Sequence, residues 1–278
     1  MEMGGMIEGL IQQAERSIPR AEGDYTKDGL LYCGKCKTPK ECRVMLLGEM
    51  RKVRCVCRCE RDRLDAEEAD RKRKEKAQQI QKLRSVGFPD AEMQKWTFER
   101  DDGSNTRLST ICRRYVENWT EVRNKGKGLL FYGPVATGKT FFAACVANAL
   151  IDKGYSCMVT NFSRVTNTLF SVNDKQEYID ELNRFDLLVI DDLAAERDTE
   201  YMGELIFSVI DGRYRSGKPL IVTTNLTAEE LKNPDGIRRE RVFSRLYEMC
   251  FAVEVNGGDR RKATMISDFK EMKGMLGL

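Results

Sequence analysis

The sequence predicts an α/β fold with a parallel sheet, preceded by a small cysteine-rich module and a charged helix. Three observations carry this. Five apolar runs, "GLLFYG" (128–133), "SCMVTN" (156–161), "DLLVIDDL" (186–193), "PLIVTTNL" (219–226) and "FAVEV" (251–255), alternate with helical patterns. Continuous apolar strands joined by helical crossovers imply a parallel sheet covered on both faces. The stretch "GPVATGKT" (133–140) joins the first run to an apolar helix, and six of the ten cysteines fall within 33–59.

The totals bound the function. At 278 residues the chain has room for one large α/β domain and a smaller module. No apolar run reaches the roughly 18 residues of a membrane span. The N-terminal "MEMGGMIEGLIQQAERSIPR" lacks a basic region, a long apolar core and a small-residue cleavage site, so no secretory signal is expected. Ten cysteines in such a chain favour reduced thiols or metal ligands over disulfides. The absence of histidine excludes a Ser-His-Asp triad, a Cys-His pair and a His-ligated catalytic zinc. Catalysis must rest on carboxylates, Lys, Arg, a metal ion or bound phosphate.

Along the chain, 1–32 reads as a short helical pattern followed by a polar loop. Residues 1–62 are assigned to the cysteine-rich module, 63–88 to a charged helical linker and 89–278 to the α/β domain. Residues 60–84 contain neither Gly nor Pro and read as one exposed helix, broken by "VGFPD" (86–90). Within it, "RKRKEKAQQIQKLR" (71–84) carries a net charge of +6, leaving −3 for the remainder. That run is either a solvated helix face or a phosphate contact. Leu108, Ile111, Cys112, Tyr115, Trp119 and Val122 recur at helical spacing, predicting a helix over 105–123 with Ser104 as the candidate N-cap. Further helices are expected near 139–152, 163–171, 174–183 and 199–216. Thr227 with Glu230 forms a capping-box pattern.

"GPVATGKT" fits G-x-x-x-x-G-K-[ST] in the strand–loop–helix context that mechanism needs. Gly133 and Gly138 let backbone N–H groups turn toward phosphates, and the helix N-terminus adds a favourable dipole. Gly133, Pro134, Val135, Ala136, Thr137, Gly138, Lys139, Thr140 and Phe141 are the candidate nucleotide contacts. Lys139 is expected to neutralise the β- and γ-phosphates of ATP and Thr140 to ligate Mg²⁺. Asp191 and Asp192 end an apolar strand at the sheet edge where ligands bind. Asp191 is expected to hold Mg²⁺ through water and Asp192 to polarise the attacking water. Asn225, ending another strand, either orients that water or helps the turn before "TAEEL". The basic runs "IRRERVFSRL" and "GGDRR" supply arginines suited to phosphate.

Together "GPVATGKT", "LLVIDDLAAER", "IDGRYRSGKPLIVTTNL" and "RVFSRL" resemble the AAA+ ATPases, and more narrowly the DnaC-type helicase loaders, of phage or prophage type, and the related IstB transposition helpers. The similarity covers about 86–262. It implies a P-loop NTPase with a five-stranded sheet of order 5-1-4-3-2. It also implies Asn225 as sensor 1, Arg245 (Arg241 as the alternative) as an arginine finger acting on a neighbouring subunit, and Arg261 or Arg260 as sensor 2. The stretch 163–183 matches an element that lines a nucleic-acid channel in initiator-type members. Asp192 stands where many AAA+ enzymes carry Glu, and little chain is left for a helical lid after "GGDRR". A slow, ATP-controlled switch follows, stimulated by DNA or a partner. The implied role is loading a DnaB-type replicative helicase onto single-stranded DNA, as a homo-oligomer in the bacterial or phage-infected cytoplasm. The alternatives are an IstB-like transposition helper and a zinc-stapled adaptor that binds ATP without hydrolysing it.

Cys33 and Cys36 form C-x-x-C, and Cys55, Cys57 and Cys59 alternate 19 to 23 positions on. With no histidine, Zn²⁺ needs four thiolates. Cys33 and Cys36 supply two and the others come from Cys55, Cys57 and Cys59, which would share one face of a strand, or pair 55 with 59 across a turn. Cys42 is a spare candidate. Arg54, Arg58 and Arg61 would favour thiolates. A module this small needs such a staple. Cys112, Cys145, Cys157 and Cys250 lie in apolar patterns and are expected in the core.

Overall fold

The computed structural model describes residues 20–46, 48–193, 200–259, 269 and 272–276. The chain divides into two compact units, Met1–Ala77 and Gln78–Leu278. The division falls inside one long helix, whereas the sequence reading set its boundaries at 62 and 88.

In the first unit, strands β1 (Tyr25–Lys27) and β2 (Leu30–Tyr32) pair antiparallel across the two-residue turn Asp28-Gly29. Both turn residues have positive φ, 52° and 73°, as a two-residue hairpin turn of Asp-Gly type requires. The expected polar loop is here a hairpin, which the Asp-Gly pair marks. A second hairpin joins β3 (Glu41–Leu46) and β4 (Glu49–Arg54). Helix α1 (Arg58–Gly87) follows. Its exposed part is laced by ion pairs: Lys72 with Glu68 at 2.7 Å, Lys74 and Arg73 with Asp70 at 2.8 and 2.5 Å, and Arg71 with Glu75 at 3.7 Å. Four charges of the basic run are thus matched along the helix, which favours the solvated-face reading.

In the second unit, Ile80 and Leu83 of α1 pack on the core, so the linker pattern ends before the helix does. The expected helix over 105–123 is two helices, α2 (Thr106–Glu117) and α3 (Trp119–Asn124). Asn118 breaks them, its side chain bonding back to Arg114 O at 2.8 Å. The N-cap is Asn105, whose Oδ1 accepts from Leu108 N at 3.0 Å, and not Ser104. Ser104 N is already bonded to Asp102 Oδ1.

The sheet contains β5 (Gly128–Tyr132), β6 (Cys157–Asn161), β7 (Leu187–Leu193), β8 (Leu220–Thr224) and β9 (Cys250–Glu254). They are all parallel and ordered β6-β7-β8-β5-β9. Counting the five in sequence order, this is the expected 5-1-4-3-2. Alternate residues feed two cores. Leu129, Phe131, Leu187, Val189 and Ile221 pack with α2 and with α4 (Lys139–Asp152). Leu130, Leu188, Ile190, Leu220 and Val222 pack with α5 (Phe162–Ser171), α6 (Lys175–Arg184), α7 (Glu200–Ser216) and α9 (Ile237–Met249). The short α8 (Ala228–Lys232) carries the expected capping box of Thr227 and Glu230. Cys112, Cys145, Cys157 and Cys250 are buried, as the patterns predicted.

A charged side chain is also taken fully into this core. Arg213 of α7 is fully buried and donates to Phe185 O, Asp186 O and Pro219 O at 2.6–3.1 Å. It ties together the turns that enter β7 and β8, and burial lowers its pKa to about 10.

Candidate functional site

The loop between β5 and α4 turns through three positive-φ residues, Gly133 (126°), Ala136 (61°) and Gly138 (96°). A Cβ on Gly133 would stand 2.7 Å from Val255 O, so only glycine fits where β5 meets the chain leaving β9. Ala136 shows that the left-handed conformation reaches a residue whose type did not announce it. Lys139 opens α4, is 5% exposed, and donates from Nζ to Gly133 O and Pro134 O at 2.8 and 2.6 Å. An ammonium held against backbone carbonyls is positioned to exchange those acceptors for phosphate oxygens.

The carboxylates sit at the same edge through a distortion of β7. The β7–β8 register runs from Ile190↔Val222 to Leu193↔Thr224, with an irregularity between that holds one extra residue on β7. Asp192 occupies it with φ 57°. Such bulges re-aim side chains beside active sites, and a left-handed non-glycine residue there stores strain. Asp191 Oδ1 accepts from Thr140 Oγ1 at 2.8 Å and Thr223 Oγ1 at 2.5 Å. Thr223 in turn accepts from Asp192 N at 3.0 Å, and Asn225 Nδ2 donates to Asp192 Oδ1 at 3.0 Å. Burial raises the Asp191 pKa above the ordinary carboxylate value, while the two threonine hydroxyls pull it back.

Lys139, Thr140, Asp191, Asp192 and Asn225 are therefore brought together. Asn225 bonds to Asp192, while the cap of α8 is made by Thr227 and Glu230, which favours the reading of Asn225 at the water over the one at the turn. Thr223, the first residue of "TTN", carries no mark in the sequence beyond its place one strand residue from the edge. An oxygen-rich pair of hydroxyl and carboxylate at a phosphate loop suits Mg²⁺.

Arg245 lies on α9 away from this edge. Its Nε donates to Asp211 Oδ1 at 3.1 Å and its guanidinium stacks 4.5 Å from the Tyr214 ring. Arg241 stacks 3.9 Å from the Phe207 ring. Arg260 and Arg261 lie outside the described residues. In the 163–183 stretch, Phe170 of α5 is 56% exposed and its ring stands 5.2 Å from Tyr201, with Lys175 Nζ 5.0 Å from the Tyr201 ring. This exposed aromatic pair was not legible in the sequence, because 31 positions separate its members.

In the first unit, the sulfurs of Cys33, Cys36, Cys57 and Cys59 all lie within 4.8 Å of one another. A tetrahedral zinc at about 2.3 Å from each sulfur needs them about 3.8 Å apart, so the set fits. Cys55 is excluded: its thiol donates to Pro39 O at 3.4 Å. Cys42 is not in the set either. The shared-strand-face reading fails because β4 ends at Arg54, and Cys59 lies in the first turn of α1. The alternation of Cys57 and Cys59 marks a helix start, where the chain turns back on itself. In this set hydrogen bonds, and not the expected Arg54, Arg58 and Arg61, lead the shifts of the thiols. The Thr38 hydroxyl, followed by backbone N–H groups, brings the Cys36 pKa to about 5. Backbone N–H of Cys36 lowers that of Cys33. Hydrogen bonding to Cys57, Cys33 and Cys36 pushes Cys59 up to about 12. Cys59 thus resists ionisation beside its neighbours unless a cation offsets the charge, which is the chemistry of a metal-binding donor set.

A five-stranded parallel sheet of this order, with a G-x-x-x-x-G-K-T loop and acids and Asn on adjacent strand ends, defines a AAA+ P-loop ATPase. The chain belongs to the IstB-like ATP binding protein family, whose model matches residues 60–267. It is 27% identical over 181 residues to the replicative helicase loader DnaI of Bacillus subtilis and 28% over 150 residues to the replicative helicase loader DnaC of Escherichia coli K12. The matches cover 59% and 52% of this chain and 58% of each relative's length. A crystal structure of the DnaC helicase loader superposes with a TM-score of 0.50 at 25% identity, covering 60% of this chain and all of that one. No helix among the described residues is long and apolar enough to cross a membrane.

Proposed function

We propose that this ATPase is an ATP-controlled loader that places a DnaB-type replicative helicase on single-stranded DNA. The observation that carries the reading is the linked set Thr140–Asp191–Thr223–Asp192–Asn225 behind Lys139, in a chain similar to two helicase loaders over this part. In this reading Lys139 and the loop N–H groups bind the β- and γ-phosphates. Thr140 and, through water, Asp191 hold Mg²⁺, which would neutralise charge on the transferred phosphoryl group. Asp192 accepts a proton from the attacking water, and Asn225 fixes the rotamer of that carboxylate. Arg245 serves the ATP of a neighbouring copy and Arg261 is sensor 2. A slow switch is consistent with Asp192 being the shorter acid, tethered by Asn225 and turned by a strained backbone.

The cysteine module is read as a Zn²⁺-stapled helicase-binding unit, and the exposed Phe170–Tyr201 pair beside Lys175 as a stacking surface for unpaired bases. The family description favours a second reading, an IstB-like helper of a transposase. The test measures ATP hydrolysis by the full chain, wild type and Lys139→Ala, with single-stranded DNA and with a replicative helicase or a transposase. Stimulation by helicase and DNA, abolished in the variant, is expected. Stimulation by transposase alone selects the second reading, and activity that survives the substitution removes both.

A further inference from the structure

Arg245 is held by its own chain in an uncommon way for a surface arginine. Its Nε edge is bonded to Asp211, which is 7% exposed, and one face of the guanidinium lies on Tyr214. Asp211 is itself fixed by Arg215 at 2.7 Å, and the Tyr214 hydroxyl donates to Glu248 Oε2 at 2.6 Å. Glu248 stands 3.9 Å from Arg245 NH1, too far for a firm bond. The inner edge is therefore satisfied while about a third of the side chain stays exposed. Because Asp211 takes Nε, the guanidinium keeps terminal N–H donors for an outside acceptor.

The direction of α9 matters as well. It runs into β9, whose first residue, Cys250, pairs with Gly128 at the start of β5. The phosphate loop leaves the other end of β5. A strand of that length puts the end of α9 on the order of 15 Å from the phosphate loop along the sheet, and Arg245 stands about one turn before that end.

We infer that Asp211 and Tyr214 are positioning residues that hold Arg245 outward, ready for the ATP bound by a second copy of this chain. This rests on the finger role proposed for Arg245. An arginine finger contributes through fixed geometry toward charge that develops on the phosphoryl group. A long side chain free in solvent would lose much of that effect to conformational entropy. The carboxylate and the ring restrict it before the second copy arrives.

The experiment compares Asp211→Asn, Arg245→Ala and Lys139→Ala as full-length proteins, alone and in equimolar pairs. Readouts are ATP affinity and hydrolysis rate. Asp211→Asn is expected to keep ATP affinity and to lose about tenfold or more in rate, part of the 10³–10⁵ a finger can supply. Mixing it with Lys139→Ala should restore activity above either alone. With random mixing about one interface in four joins an intact phosphate site to an intact finger in a head-to-tail assembly. Arg245→Ala mixed with Lys139→Ala should behave alike, and Asp211→Asn with Arg245→Ala should not recover.

If Arg245→Ala is rescued while Asp211→Asn alone matches wild type, the positioning role is wrong and the finger stands. If Arg245→Ala is rescued and Asp211→Asn is not, Asp211 serves its own site or the fold, and the inference is again wrong. If Arg245→Ala is never rescued, the finger reading itself fails. Tyr214→Leu keeps the ion pair and removes the stacking. It should show the same pattern with a smaller loss, and it decides the matter should Asp211→Asn not fold.

Discussion

The side-chain amide of Asn225, at the end of β8, donates to Asp192 Oδ1 across the strand gap at 3.0 Å, while Asp192 itself sits in the left-handed region at φ 57°. The amide thus holds a carboxylate that the backbone has already turned out of the strand's regular alternation. Asp192→Asn should lower hydrolysis by about 10²-fold or more, the range for losing a general base, with ATP affinity unchanged. Asn225→Ala, leaving the acid but freeing its rotamer, should cost less. Single-turnover rates and nucleotide titrations check both, and an equal fall in affinity would place Asp192 in ground-state binding.

Thr223 and Thr140 stabilise the ionised form of Asp191 against burial. Removing one donor by Thr223→Val should raise the Asp191 pKa further, since the neutral acid loses less than the carboxylate. Protonation competes with Mg²⁺ binding, so the acidic limb of the hydrolysis profile should move to higher pH and the Mg²⁺ requirement should rise below that limb. An unmoved limb would show that Asp191 does not control it.

Zinc content separates the cysteines. Wild type should carry one Zn²⁺ per chain, measured by atomic emission. Serine at Cys33, Cys36, Cys57 or Cys59 should abolish it, while serine at Cys42 or Cys55 should leave it. Structural zinc is worth on the order of 10 kcal/mol to small domains, so chelation should unfold the first unit and expose it to protease. Retention by a Cys57→Ser protein would contradict the four-sulfur set.

The exposed pair Phe170 and Tyr201 is a candidate surface for unpaired bases. Alanine at both should weaken single-stranded DNA binding by about 1–3 kcal/mol per base lost, as stacking measurements suggest, without changing ATP affinity. Fluorescence anisotropy with an oligonucleotide reads this directly, and unaltered affinity would move the DNA contact elsewhere.

Arg213 should matter to stability and not to chemistry. Replacing it with Met takes the side-chain donor from the carbonyls of Phe185, Asp186 and Pro219, of which Pro219 O keeps Leu188 N at 3.5 Å. At about 1–3 kcal/mol for an unsatisfied buried group, urea unfolding should show a loss of about 3 kcal/mol or more. A midpoint close to wild type would mean that water replaces the guanidinium at these carbonyls.

The fold and the phosphate loop were legible in the sequence because both are local. Apolar runs with helical spacing between them dictate strands and crossovers, and "GPVATGKT" needs only its own backbone to form an anion cradle. The AAA+ resemblance added the strand order, which the sheet bears out. What the sequence left open depended on register and distance. Which cysteines cluster was decided by where β4 stops and α1 begins, so that Cys59 turns toward Cys33, 26 positions earlier, and Cys55 turns away to Pro39. Thr223 joined the site through an extra residue in β7, which changes where side chains point without any mark in the local pattern. Arg213, Asp211 with Arg245, and Phe170 with Tyr201 all pair across helices or strand ends. Their energies come from burial and long-range contact, quantities that exist only once the sheet has brought distant segments together.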